Sequence, residues 1–121
     1  MSTKAVVLKR AYESAGPGDG YRVLVDRLWP RGVTKDRARF DLWMRDVAPS
    51  DGLRKWFHAR PSEWAEFRRR YLAELRGHRD ALRPLAERAR RERVTLVFSA
   101  TNEERNNAVV LRQYLRMLGA R

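Results

Sequence analysis

Arg22-Val-Leu-Val-Asp-Arg-Leu-Trp-Pro-Arg-Gly32 governs the reading of the fold, because a short β-branched, apolar run breaks abruptly into charged, aromatic and turn-forming residues. Val23, Leu24 and Val25 read as a buried strand, Pro30 cannot extend a hydrogen-bond ladder, and Gly32 permits a turn that side chains resist. Asp26, Arg27 and Arg31 then stand at the C-terminal mouth of that strand. In open α/β sheets, ligands bind outside the carboxyl ends of the strands. Strand ends also gather structural ion pairs, so the competing reading pairs Asp26 and Arg27 with neighbours and packs Trp29 as a core plug.

Outward from this run, Ala5-Val-Val-Leu8 predicts a first strand, joined to Arg22–Asp26 by a loop, Ser14-Ala-Gly-Pro-Gly-Asp-Gly20, through which the two strands could pair antiparallel. Phe40-Asp-Leu-Trp-Met44 reads as a short helix or an irregular packed segment. Ser50 suits an N-cap for a short helix carrying Leu53, Trp56 and Phe57. Pro61 suits the first turn of a longer helix, whose Trp64, Phe67, Tyr71 and Leu75 recur at helical spacing as a core stripe. Gly77 ends or bends it, and Leu82, Leu85, Ala86 and Ala89 mark another helix, with Pro84 near its start. Val94-Thr-Leu-Val-Phe98 is the clearest strand. Thr101-Asn-Glu-Glu104 matches a capping box, so a last helix is expected at once, with Ala108, Leu111, Leu115 and Leu118 on the sheet and Gly119 as its stop.

These elements predict one α/β domain over residues 1–121, with a small, at least partly parallel sheet flanked by helices. Helices between Val25 and Val94 give a crossover long enough for parallel strands, whose C-terminal ends share one edge. That edge would unite Asp26, Arg27, Trp29, Arg31 and Lys35 with Ser99, Thr101, Asn102 and Asn106. A helix N-terminus offers free N–H groups, and Arg27 and Arg31 can grip an oxyanion in bidentate fashion, so a small anionic or phosphorylated ligand is expected. Glu103 and Glu104 at that helix start oppose an anion.

The formal net charge is +12, from 27 Lys and Arg against 15 Asp and Glu, which suits phosphates, nucleic acid or anionic surfaces. Much of it falls in Arg68–Arg70, Arg88, Arg90, Arg91 and Arg93, on helical stretches where a basic outer face is ordinary. Only four of the basic residues are lysines, a skew that a GC-rich genome explains as well as phosphate binding does. The absence of cysteine excludes thiol chemistry and Cys-based zinc sites, and two histidines, His58 and His78, make no metal site. No cofactor is called for. No run is long enough to span a bilayer, and Lys9 and Arg10 interrupt the N-terminal apolar stretch too early for a signal peptide, so the expected location is the cytoplasm and no membrane partner is expected.

Arg22–Gly32 with Lys35, Trp43, Ala48-Pro-Ser50, Leu53-Arg-Lys-Trp-Phe57, Pro61, Trp64, Phe67, Tyr71, Glu74-Leu75, Val94-Thr-Leu96, Asn106 and Ala108–Leu111 together resemble the YeaO-like branch of the domain-of-unknown-function 488 family. The resemblance covers nearly the whole chain and implies no established reaction, substrate or partner. Where related members carry a His, often followed by Asp, this chain has Ala59 and Arg60, with His58 one place earlier, so a catalytic His is not carried over. Thr101 and Asn102 replace a basic residue and Asp, and Asn107 replaces a common His. Longer relatives carry Cys in this region, and this chain has none.

Three functions compete. In the first, Arg27 and Arg31 clamp an anionic metabolite, Lys35 adds charge, and Asp26 orients the ligand or acts as general base with His58 or Lys35 as partner. In the second, basic helices bind nucleic acid, although no helix-turn-helix, zinc-finger or RNA-recognition signature is present. The third is a protein-interaction module without chemistry. For His58 the competing reading is a solvent-facing helix end; for Trp43, Trp56 and Trp64 it is core packing.

Overall fold

Three β-branched, apolar runs become strands β1 (Val6–Arg10), β2 (Tyr21–Leu24) and β4 (Val94–Phe98) in the computed structural model, which describes residues 5–120. A fourth, β3, is only Leu42–Trp43. All pairings are parallel, in the order β1-β4-β2-β3. Val6 lies opposite Val94, Val23 opposite Leu96, and Leu24 opposite both Val97 and Trp43. The antiparallel pairing open to the first two strands is not adopted: β4 sits between them. Helices α1 (Lys35–Ala38), α2 (Asp51–Ala59), α3 (Trp64–Arg76), α4 (Arg79–Arg91) and α5 (Asn107–Met117) complete the chain.

Side chains alternate across the sheet, and the two faces differ in chemistry. Val6, Val23, Val25, Val94, Leu96 and Phe98 join Phe67, Tyr71, Leu75, Leu82, Leu85, Leu111 and Leu115 in one apolar core. The stripe spacing on α3 and α4 accounts for this packing, and each fully buried side chain of that size contributes about 1.5–3 kcal/mol.

The opposite face is covered lightly, by the 3-10 turn Pro17–Asp19 and by α1, over a buried polar layer. Arg22, only 4 % exposed, donates from Nε (3.1 Å) and Nη2 (2.8 Å) to the Ala38 carbonyl and from Nη1 to Asp19 Oδ2 at 2.6 Å. Lys9 Nζ lies 3.1 Å from the other Asp19 oxygen, and Thr95 Oγ1 donates to the Asp19 carbonyl at 2.6 Å. Gly20 admits the turn into β2: at φ 65 and ψ −134 a Cβ would meet the Arg93 carbonyl.

Burial pushes the Asp19 carboxyl up, but hydrogen bonds from the Gly16 N–H, Lys9 and Arg22 outweigh it and hold the group below its ordinary value of 3.8. The stability it supplies is therefore complete above about pH 4 and is lost as pH falls through the lowered value. Asp19→Asn should be less stable than the parent at about pH 7, and the gap should narrow as the pH is taken down to about 2. Urea unfolding at the two pH values measures it; a gap independent of pH would contradict the assignment.

Four local expectations are corrected. Phe40–Met44 contains the edge strand β3 in place of a helix or irregular segment, its Asp41 N–H bonding the Arg22 carbonyl and its Met44 N–H the Leu24 carbonyl. Pro61 lies in a turn and α3 begins at Trp64. Pro84 lies inside α4, on an exposed side of the helix and past its first turn. Thr101–Glu104 does not cap α5. Asn102 Oδ1 instead accepts the N–H groups of Glu104 and Arg105 at 3.0 Å each, a local alternative to helical bonding. The helix starts at Asn107, behind Asn106 as N-cap.

Candidate functional site

Strand β2 gives way to Asp26 at the sheet's C-terminal edge, just after the Val25 N–H donates to the Val97 carbonyl at 3.1 Å. Asp26 Oδ2 accepts both the Ser99 N–H (2.8 Å) and the Ser99 hydroxyl (2.6 Å). Its Oδ1 accepts Asn107 Nδ2 at 3.0 Å, and the same amide donates to the Val25 carbonyl at 3.0 Å. The Asp26 carbonyl accepts the Trp43 indole N–H at 2.7 Å. One aspartate thus ties together the ends of β2, β3 and β4 and the first turn of α5.

Arg27 turns the other way, donating from Nε to the Pro49 carbonyl (3.1 Å) and from Nη2 to the Ala48 carbonyl (3.3 Å). It thereby fixes the chain leading into α2. Ser50, the N-cap of α2, gives its N–H and hydroxyl to the two oxygens of Glu74 at 2.8 and 2.6 Å and accepts the Leu53 N–H. Nearby, the buried Tyr71 hydroxyl donates to the Val47 carbonyl at 2.7 Å. Burial raises the Tyr71 phenol well above its ordinary value, the charges of Glu74 and Asp26 add to the rise, and Arg27 offsets part of it. Across the edge, Arg10 donates to the carbonyls of Ala100 (2.9 Å) and Ser99 (3.1 Å).

Of the residues singled out in the sequence, Asp26 and Ser99 meet directly. Trp29 is half-buried, with its indole N–H on the Val33 carbonyl and its ring edge-on to Phe40 and Trp43 at 5.3 and 5.6 Å. Arg31 and Lys35 are exposed on the segment that follows, and neither pairs with an acid among the described residues. Thr101 and Asn102 are exposed. Asn106, 2 % exposed, is occupied as a cap, its Oδ1 accepting the Val109 N–H and its Nδ2 donating to the Asn102 carbonyl. His58 is exposed at the end of α2. Neither Lys35 nor His58 bonds Asp26.

Sequence reasoning missed Asn107 and Arg10 as builders of this edge. Asn107 carried a signal, being the polar residue immediately ahead of the apolar run of α5. Arg10 carried none, because its partners are backbone carbonyls far along the chain. Chemically, Asp26 has both oxygens engaged, and its hydrogen-bond partners, Ser99 and Asn107, are not groups that exchange a proton near neutral pH. Uncommitted donors remain on Arg27 Nη1, Arg31 and Lys35. Among the described residues no group of three or more His, Asp or Glu is placed to hold a metal ion, and no helix is long and apolar enough to cross a membrane.

A family model described as the inactive DUF488-N3 subclade matches residues 5–120. The chain is 46% identical over 110 residues to a protein of Escherichia coli (strain K12) described as uncharacterized protein YeaO, covering 91% of this chain and 96% of that one. It is 44% identical over 110 residues to uncharacterized proteins of Mycobacterium bovis and Mycobacterium tuberculosis, covering 91% of this chain and 92% of each. No solved structure matches it.

Proposed function

The chain belongs to the YeaO-like branch of the DUF488 family, within the subclade described as inactive, a membership that assigns no ligand, and we propose that it binds a small anionic or phosphorylated ligand at the C-terminal mouth of its sheet without transforming it. The observation that carries this reading is the state of Asp26, whose two oxygens are taken up by Ser99 and Asn107. A carboxylate held in that way makes a rigid floor and a poor general base. The donors left over on the segments that follow Asp26 and Ser99 in the chain are Arg27 Nη1, Arg31 and Lys35, which are cationic, and the exposed Thr101 and Asn102. Such donors suit an oxyanion.

The test is thermal unfolding in inorganic phosphate, pyrophosphate and short duplex DNA, comparing the parent with the Arg31→Ala, Lys35→Ala variant, which removes two exposed side chains and leaves Arg27 in place. A ligand that binds only the folded state raises stability by about 2.7 kcal/mol at one hundred times its Kd. Pyrophosphate should raise the melting temperature of the parent and not of the variant. Stabilisation by DNA alone, equal in both proteins and erased by salt, would overturn this reading and move function to the basic helices.

A further inference from the structure

A recess that does not include Asp26 lies between the loop that follows β1 and the segment around α1. Its lining runs over Ala11–Ala15, Gly32, Val33, Asp36, Arg37 and Arg39, and its volume is about 370 Å³. That volume is near the lower end of the ~300–1,000 Å³ typical of small-molecule sites.

The chemistry of the lining is mixed in a specific way. Tyr12 is 51 % exposed, among the few large hydrophobic side chains left open to solvent. Its ring has the Arg10 guanidinium 5.2 Å from its centroid, and that guanidinium is itself anchored on the Ser99 and Ala100 carbonyls. The ring therefore rests on a fixed cation and offers a flat surface for stacking. Arg37 and Arg39 supply two guanidiniums with no acidic partner among the described residues. Arg39 is the one non-glycine residue at positive φ among them, at φ 48 and ψ 42, with its N–H on the Lys35 carbonyl. Two acids also line the recess: Glu13 is engaged in accepting the Arg10 N–H at 2.8 Å, and Asp36 makes no side-chain bond.

A bare phosphate would use the guanidiniums and leave both the ring and Asp36 idle. A planar ring that carries N–H donors and a phosphate uses all of them. We propose that this recess binds a phosphate ester of mononucleotide size, with its ring on Tyr12, its phosphate on Arg37 and Arg39, and an N–H group of the ring on Asp36. The site shares Arg10 with the Asp26 edge, through the Ser99 and Ala100 carbonyls, but none of its lining residues bonds Asp26.

Isothermal titration of the full chain with adenosine monophosphate, adenosine and ribose 5-phosphate tests the assignment. Adenosine monophosphate should bind at least tenfold tighter than either fragment. Tyr12→Ala should weaken the monophosphate about tenfold and leave ribose 5-phosphate within twofold. In the Arg31→Ala, Lys35→Ala background, which removes the exposed cations assigned to the mouth, Arg37→Glu combined with Arg39→Gly, the latter suited to positive φ, should abolish both. The Arg31→Ala, Lys35→Ala variant should bind the monophosphate within twofold of the parent, which separates this site from the mouth. Ligand-free melting curves identify any variant that has lost its fold. No binding of the monophosphate at millimolar concentration overturns the proposal, as does equal affinity for ribose 5-phosphate or binding that survives both sets of substitutions. A short 5′-phosphorylated oligonucleotide that binds more tightly than the monophosphate would overturn the free small ligand in favour of a nucleic-acid end.

Discussion

Arg22→Met lowers the stability of the domain by about 3–5 kcal/mol, the range for removing one partner from a buried charged pair. Methionine fills much of the space but returns none of the donors. The Ala38 carbonyl loses both of its bonds from the guanidinium, and Asp19 keeps only Lys9 and the Gly16 N–H. Phe40 also loses the cation that lies 5.5 Å from its ring centroid. Urea unfolding should show a lower midpoint with an unchanged slope. Adding Asp19→Asn to Arg22→Met should cost less than the sum of the two single changes, because the acid is no longer left short of a counter-charge. A loss below about 1 kcal/mol for Arg22→Met would mean that the polar layer is in contact with water and contributes little.

Asp26→Ala removes three hydrogen bonds at once and is expected to cost about 3 kcal/mol, since bonds to charged groups are worth about 1.5–3 kcal/mol each but the edge relaxes in part. Asp26→Asn should cost about half as much. Its carbonyl can still accept both Ser99 donors, while its new amide confronts the Asn107 amide donor. Amide hydrogen exchange gives a local readout, because the Ser99 N–H, bonded directly to the carboxylate, should exchange faster in Asp26→Ala than the strand amides beside it. If Ser99 stays protected to the same degree, the carboxylate is not the clasp described above.

The α/β class, the parallel pairing of β2 with β4 and the union of Asp26 with Ser99 were all legible in the sequence. Valine-rich runs that end in Pro and Gly leave little choice of element, and the long helical stretch between Leu24 and Val94 favours a parallel return. Less was legible where a short-range signal competed with a longer-range one. Thr101-Asn-Glu-Glu104 has the composition of a helix start, yet Asn102 turns the chain first and the true cap is Asn106, whose apolar followers carry no acidic residue at the third position. Strand β3 was illegible because two residues have no period, and Leu42 stays exposed. Arg22 did leave a trace, as a charged residue at the head of an otherwise buried run. Its partner Asp19, in a Gly- and Pro-rich loop, gave no sign that the loop folds back over the sheet.

The insertion of β4 between β1 and β2 also bears on how the chain folds while it is being made. Val6–Arg10 and Tyr21–Leu24 leave the ribosome early, and the strand that must separate them follows only after α2, α3 and α4 have been synthesised. Until then the nascent chain has two sticky segments joined by a short link, free to close on each other as a hairpin that the finished protein does not contain. Translation thus keeps the sheet waiting for its keystone, and the two early strands stay without their shared neighbour until Val94–Phe98 arrives.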